Sequence, residues 1–222
     1  GDIGLIIRNM EYRDGKIVLR RSDIEGILHC GYQWANTPEQ GAVGQGVESS
    51  STFLGTMVHG AIEAYYQSIM DNNPLSIDDI KAGMIAAWDG HTGRISWQSG
   101  DTKATALILI ERYIEWARRQ DWQWMAPKSV EKRYHIELPD CWLTGKIDME
   151  TINGTIIDFK TTGSYDLGKN LTYESIQPWV YRLLVAGGDI GRAVDIGFFY
   201  HLITKRPQGE IYQFAAYTKK GD

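Results

Sequence analysis

The stretch GKIDMETINGTIIDFKT, residues 145–161, carries Asp148, Asp158 and Lys160 on two alternating runs either side of Asn153-Gly154. Carboxylates and an amine gathered on one hairpin suit hydrolysis at a phosphate. The carboxylates can hold a hard cation such as Mg2+ or Mn2+, and the amine can hold a water or offset charge. Whether the three groups meet depends on register, because strand side chains alternate between faces. A two-residue turn sets Ile147 opposite Lys160 and Met149 opposite Asp158, mixing charge into the apolar face. A three-residue turn at Ile152, Asn153 and Gly154, with Gly154 left-handed, sets Ile147 opposite Phe159 and Met149 opposite Ile157. That register brings Asp148 across from Asp158, with Lys160 on the same side. Paired carboxylates repel unless a cation, a shared proton or water lies between them. The same residues also describe a solvated sheet face of mixed charge, and the hairpin alone leaves both readings open.

The elements that must position these groups can be read along the chain. Residues LIIRNMEYRDGKIVLRR form a first hairpin about Asp14-Gly15. Ser22-Asp23-Ile24-Glu25 has the form of a capping box and predicts a helix to about Trp34. Residues 35–52, rich in Gly, Ser, Gln and Asn, read as a loop. Val58, Ile62, Tyr65, Tyr66 and Ile69 fall at helical spacing and predict a helix from Thr56 to Met70, with His59 and Glu63 beside the apolar stripe. Two more helices are expected, from Ser76 to Trp88 and from Thr102 to Gln120. From Ser129 the period changes to two, giving three strands in VEKRYHIEL, WLTGKIDMET and TIIDFKT. A helix in LTYESIQPWVYRLLVAGG and strands at 193–202 and 210–217 complete the order. Pro178 fits that helix only in its first turn, so the helix is expected to begin near Ser175. The pattern predicts an α/β (α+β) domain with one central mixed sheet flanked by helices. The expected organisation is one domain over 1–222, with a hairpin and helical region at 1–128 and the core sheet at 129–222.

The chain has 222 residues, a formal net charge of -5 and two cysteines, Cys30 and Cys141. The charge argues against nucleic-acid binding through a broad basic surface and leaves room for a local groove. Two cysteines supply neither a disulfide framework nor a zinc ribbon and suit a reducing compartment. The sequence shows no apolar run of about 18 residues and no signal-peptide pattern. A protein of the cytoplasm is expected, with no membrane association, in a bacterial cell or a phage-infected host.

Asp148, the Asp158-Phe159-Lys160 triplet, the helical His59 and the Q-x-x-x-Y of Gln177 to Tyr181 together resemble the PD-(D/E)XK nuclease superfamily. The closest likeness is to its RecB-like exonuclease branch, which includes CRISPR-associated and phage enzymes, and it extends from about Ser22 to Tyr200. The resemblance implies a restriction-endonuclease-like core. It also implies that His59, Asp148, Asp158 and the carbonyl of Phe159 ligate Mg2+ or Mn2+, and that Lys160 orients the attacking water or stabilises the pentacovalent phosphate. Glu131 matches an acidic residue ahead of the G-x-x-D strand, and Gln177 and Tyr181, on one helical face, support Lys160 and the DNA backbone. The implied activity is a metal-dependent deoxyribonuclease, an exonuclease of recombination, repair or phage replication. A structure-selective endonuclease with the same core and a noncatalytic DNA-binding or assembly module are the alternatives.

Some branch members bind an iron–sulfur cluster through one early and three late cysteines. Cys30 stands in the early position, but no cysteine follows Cys141, so no cluster is expected and Cys30 is read as a small buried hydrophobe. DNA is the expected partner, and the family adds a single-strand annealing protein or a helicase. Candidate DNA contacts are Arg118, Arg119 and Arg182, with Lys132, Arg133, Lys169, Lys205 and Arg206. Beside the first two, Trp116, Trp122 and Trp124 either stack on unpaired bases or pack the helix against the sheet.

Overall fold

A computed structural model describes residues 10–36, 47–163, 175–206 and 209–216, without the side chains of Tyr32, Asn36 and Trp122. Its residues gather into two compact units whose segments interleave along the chain. One unit takes 1–46, 133–146 and 176–195, and the other takes 47–132, 147–175 and 196–222. Both mix helices with strands. Among the described residues no helix is long and apolar enough to cross a membrane.

In the first unit, strands β1 (Tyr12–Arg13) and β2 (Lys16–Arg20) form the expected hairpin. Asp14 and Gly15 both take positive φ, 51° and 76°, the mirror-image turn whose twist matches that of the strands. β2 then pairs in parallel with the start of β6 (Cys141–Thr151), from Ile17 opposite Cys141 to Arg20 opposite Thr144. Helix α1 (Arg21–Asn36) starts earlier than its serine suggested. Asp23, not Ser22, anchors the start: its carboxylate accepts the Arg20 N–H at 2.8 Å and the Trp34 indole N–H at 3.3 Å.

Cys30 corrects an expectation. It is exposed, at a break in α1 where its backbone is extended (φ -162°, ψ 100°). The exposure is not confined to the break, since every residue from Ile27 to Gly31 faces solvent. The apolar centre of this unit is Ile136, Leu143, Val180 and Leu184, from β5 (Pro127–Glu137), β6 and helix α6 (Gln177–Val185). Pro178 lies in the first turn of α6, where its missing N–H breaks no helical bond. A short helix α7 (Ile190–Ala193), capped by the Asp189 carboxylate on the Arg192 N–H, stands where the strand was expected to begin.

The second unit holds β3 (Glu48–Ser49), α2 (Ser50–Met70), α3 (Ile77–Asp89), β4 (Ile95–Ser96), α4 (Lys103–Ala117) and α5 (Trp122–Met125), with β7 (Ile156–Thr162), β8 (Phe198–Thr204) and β9 (Ile211–Ala215). Residues 50–52, read as loop, are helical because Ser49 caps α2 by accepting the Thr52 N–H. Residues 37–46 of that loop lie outside the described residues. The Ser76 side chain and Asp79 form a complete capping box on α3. β7 pairs antiparallel with the end of β6 and parallel with β8, and β8 pairs antiparallel with β9. A mixed sheet results, as expected. α2, α3 and α4 bury Leu54, Val58, Ile62, Leu109, Ile110 and Ile114 together with Met149, Ile157 and Phe159 of the strands. β7 is buried from Ile156 to Phe159, the continuous run of a strand covered on both faces. The one charge in that run is Asp158.

Candidate active site

The turn between β6 and β7 has three residues, with Thr151 N–H donating to the Thr155 carbonyl and Gly154 at φ 83°. Met149 pairs with Ile157 and Glu150 with Ile156, so the apolar residues share a face. Hydrogen-bonded pairs alternate along an antiparallel ladder. From Thr151 opposite Thr155 the alternation would reach Ile147 opposite Phe159, joining the Phe159 N–H to the Ile147 carbonyl. Instead the Phe159 N–H donates to Asp148 Oδ2 at 2.8 Å. The Asp148 carboxylate thus takes the place of a ladder carbonyl at the point where regular pairing stops.

Asp158 is 2% exposed, and Lys160 Nζ lies 2.9 Å from its Oδ2. Part of Asp148 remains accessible, but its carboxylate is enclosed. Enclosure and the neighbouring Asp158 charge raise its pKa well above the usual carboxylate range, against the pull of the Phe159 N–H and Lys160. Glu131 adds to the rise. It sits within β5 at φ 48°, a left-handed conformation that costs a residue with a Cβ about 1–2 kcal/mol. Strain of this kind persists where surrounding structure holds it and gathers at functional sites.

Helix α2 crosses β7 closely. A Cβ on Gly55 would lie 2.9 Å from Thr161 Oγ1, so only glycine fits there without displacement. One turn further on, the half-buried His59 sets its ring edge-on to Phe159, with centroids 6.1 Å apart. Phe159 is also stacked on Tyr66 at 6.1 Å and 8°, and meets Tyr113 at 5.5 Å and His201 at 5.9 Å. Behind these rings runs a buried polar chain. The Tyr66 and Tyr113 hydroxyls are 3.0 Å apart, and the Tyr113 hydroxyl is 2.9 Å from His201 Nδ1. Burial pushes the pKa of His201 down to about 3, so the imidazole is neutral, and burial pushes both tyrosines up. Tyr66 and Tyr113 lie on the buried stripes of their helices, but nothing local in the sequence announces that their hydroxyls meet.

The second unit therefore brings Asp148, Asp158, Phe159 and Lys160 together, with His59 over Phe159 and Glu131 close enough to act on Asp148. Gln177 and Tyr181 belong to the first unit. Gln177 is 3% exposed at the start of α6. Tyr181 covers Gly145 together with Leu184; a Cβ there would lie 2.6 Å from Leu184 Cδ1 and 3.5 Å from Tyr181 Cε1.

Arg118 and Arg119 are exposed, and the Arg118 charge partly offsets the rise that burial gives the Tyr65 pKa. Arg182 is a correction: it is 4% exposed and lies beside the Trp179 ring at 5.6 Å, so α6 does not offer it to solvent as a DNA contact. Lys132, Arg133 and Arg206 are exposed, Lys205 is tied to Asp101 at 2.8 Å, and Lys169 lies outside the described residues. Trp116 packs on Tyr113 and His201, and Trp124 on Phe199. Their rings pack the helices against the sheet, the second of the two readings. Nothing is described of the Trp122 side chain.

Among the described residues no group of three or more His, Cys, Asp or Glu stands gathered closely enough to hold a metal ion. The donor set nevertheless fits a divalent cation in kind. Two carboxylates share one hairpin, with Lys160 on Asp158, and burial together with the Asp158 charge raises the Asp148 pKa.

A search among curated proteins finds no matching sequence. Among solved structures, a proposed exonuclease from Eubacterium rectale is similar at 17% identity and a TM-score of 0.45, over 75% of this chain and 59% of that one. The chain thus spans less than two thirds of that protein's length. SSO0001 is similar at 11% identity and a TM-score of 0.31, over 89% of this chain and 74% of that one. The model of the PD-(D/E)XK nuclease superfamily matches residues 21–222, nearly the whole chain, and the chain belongs to that superfamily.

Proposed function

We propose that this chain is a metal-dependent deoxyribonuclease of the RecB-like branch, a single nuclease domain that acts as an exonuclease in recombination, repair or phage replication. The observation that carries the reading is the junction around Phe159. One strand residue presents its N–H to Asp148 and its ring to His59, and is flanked by Asp158 and Lys160.

Asp148 and Asp158 would hold the divalent cation, with His59 and the Phe159 carbonyl as the further ligands that the family resemblance implies. When bound, Mg2+ or Mn2+ supplies positive charge at the phosphate and makes a water more acidic. Lys160 is the cation the chain itself provides. Held beside Asp158, it orients the water for in-line attack and offsets charge as the phosphate becomes pentacovalent. A water oxygen joins phosphorus, the bridging P–O bond to the 3' side breaks, and that oxygen takes up a proton, leaving a 5'-phosphate. Glu131 would help to hold a water or a second cation, and the family resemblance gives Gln177 and Tyr181 a supporting role toward the motif lysine and the DNA backbone. Arg118 and Arg119 carry backbone contacts. A helicase or a single-strand annealing protein is the partner such an exonuclease would work with.

The test is incubation with linear and covalently closed circular DNA, in Mg2+, Mn2+ or EDTA, beside Lys160→Ala. Loss of the linear form alone, dependent on metal and on Lys160, is the expected outcome. Cutting of the circle would make the chain an endonuclease, and no cutting with any metal would end the nuclease reading.

A further inference from the structure

Trp97 differs from Trp116 and Trp124. It follows β4 in the second unit and is 55% exposed, yet its orientation is fixed by other rings. Phe53 meets it edge-on at 6.0 Å, and Trp88 lies 5.8 Å away at an interplanar angle of 32°. Phe53 is itself 1% exposed and packed on Trp88 at 4.6 Å and His91 at 4.5 Å. A large ring buttressed from within while half its surface faces water gives up burial energy that folding alone would favour. It is also ordered in advance, so a flat partner would stack on it at little entropic cost.

The charges nearby narrow the partner. Asp89 is paired with Lys103, Asp101 with Lys205, and Glu48 lies 3.8 Å from His91. Arg94, three residues before Trp97, is exposed and makes no ion pair among the described residues. An exposed aromatic ring and an exposed guanidinium three residues apart in the chain suit a nucleobase together with its phosphate. Phe53, which backs Trp97, and His59 of the candidate site share α2, six residues and about 9 Å apart along its axis.

We infer that Trp97, backed by Phe53 and Trp88, is a stacking platform for an unpaired base of the DNA strand that the candidate site cleaves. The inference rests on the nuclease reading and gives it a substrate feature: a single-stranded segment beside the scissile phosphate. Binding is measured in EDTA, where cleavage is absent, with labelled oligo-dT, an abasic strand of the same length and a blunt duplex. The parent protein is expected to favour oligo-dT over the abasic strand by about ten-fold or more. Trp97→Ala removes that preference and leaves duplex binding unchanged, while Trp97→Phe keeps part of it. Equal binding of oligo-dT and the abasic strand by the parent overturns the platform, as does a Trp97→Ala loss spread evenly over all three probes. Metal-dependent hydrolysis by the parent is scored separately, so a nuclease without a platform is told apart from a chain that is no nuclease.

Discussion

Asp101 and Asp148 lie in the same unit, both enclosed and both with a lysine at hand, and they have opposite electrostatic fates. Asp101, 5% exposed, receives the Ser50 hydroxyl at 2.8 Å and Lys205 Nζ at 2.8 Å, one on each oxygen. Burial pushes its pKa up, but those two hydrogen bonds outweigh burial and the carboxyl is held below its usual range. Asp148 receives a single backbone N–H and faces a second carboxylate, and its pKa goes up. Asp101 ties the start of α2 to the end of β8 and is satisfied. Asp148 keeps burial and the Asp158 charge as its dominant surroundings, and neither the Phe159 N–H nor Lys160 outweighs them. Burial of an aspartate is therefore uninformative until its partners are counted.

The largest effect expected is on chemistry. Lys160→Ala should lower hydrolysis of linear DNA by about a hundred- to ten-thousand-fold, while circular dichroism shows the fold retained. Near-parent activity would place the catalytic charge elsewhere. Next in size, Asp101→Asn should cost about 2–3 kcal/mol in urea unfolding, because Lys205 loses its buried partner, with activity per folded molecule unchanged. Asp148→Asn should move stability the other way. The amide can still accept the Phe159 N–H but no longer opposes Asp158, so unfolding should become harder by about 0.5–2 kcal/mol while hydrolysis is lost. Added Mg2+ should raise the melting temperature of the parent and not of this variant. Destabilisation by Asp148→Asn would undo the contrast.

The pH dependence of stability in EDTA sharpens the same contrast. A folded-state pKa raised above its unfolded value means that the folded protein binds the proton more tightly, so stability falls as pH rises from about 4 through the Asp148 titration. For Asp101 the folded pKa is depressed. Its contribution is complete above about 4 and fades as pH falls below that. Asp148→Asn should flatten the first slope and Asp101→Asn the second. The smallest effect is expected from Tyr113→Phe, which removes the hydroxyl between Tyr66 and His201 and should cost about 1 kcal/mol, read as a modest fall in melting temperature.

The β6–β7 register could be read from the chain because its signals are local. Alternation sorts Ile147, Met149, Ile157 and Phe159 to one face, and Gly154 supplies the left-handed residue that a three-residue turn requires. The helices behind it were legible from spacing and caps, though α2 begins at Ser50 rather than Thr56 because the Ser49 side chain closes its first turn. What spacing could not show was the exposure of single side chains. Cys30 is outside in an exposed run from Ile27 to Gly31, Arg182 is inside on a helix that also exposes Trp179, and Trp97 is left to solvent while Trp116 and Trp124 pack on other rings. Each outcome depends on which distant element covers the position.

By itself the sequence determined the hairpin, its register, the order of elements and the presence of two aspartates and a lysine where a phosphate could be hydrolysed. Turn chemistry and strand alternation act over a few residues, and composition records them directly. Only the tertiary structure decided that Asp148 would replace a ladder carbonyl, that Phe159 would be walled in by Tyr66, Tyr113 and His201, and that Asp101 would be satisfied where Asp148 is not. Desolvation and charge compensation are sums over neighbours drawn from distant parts of the chain, and those neighbours do not exist until the chain has folded.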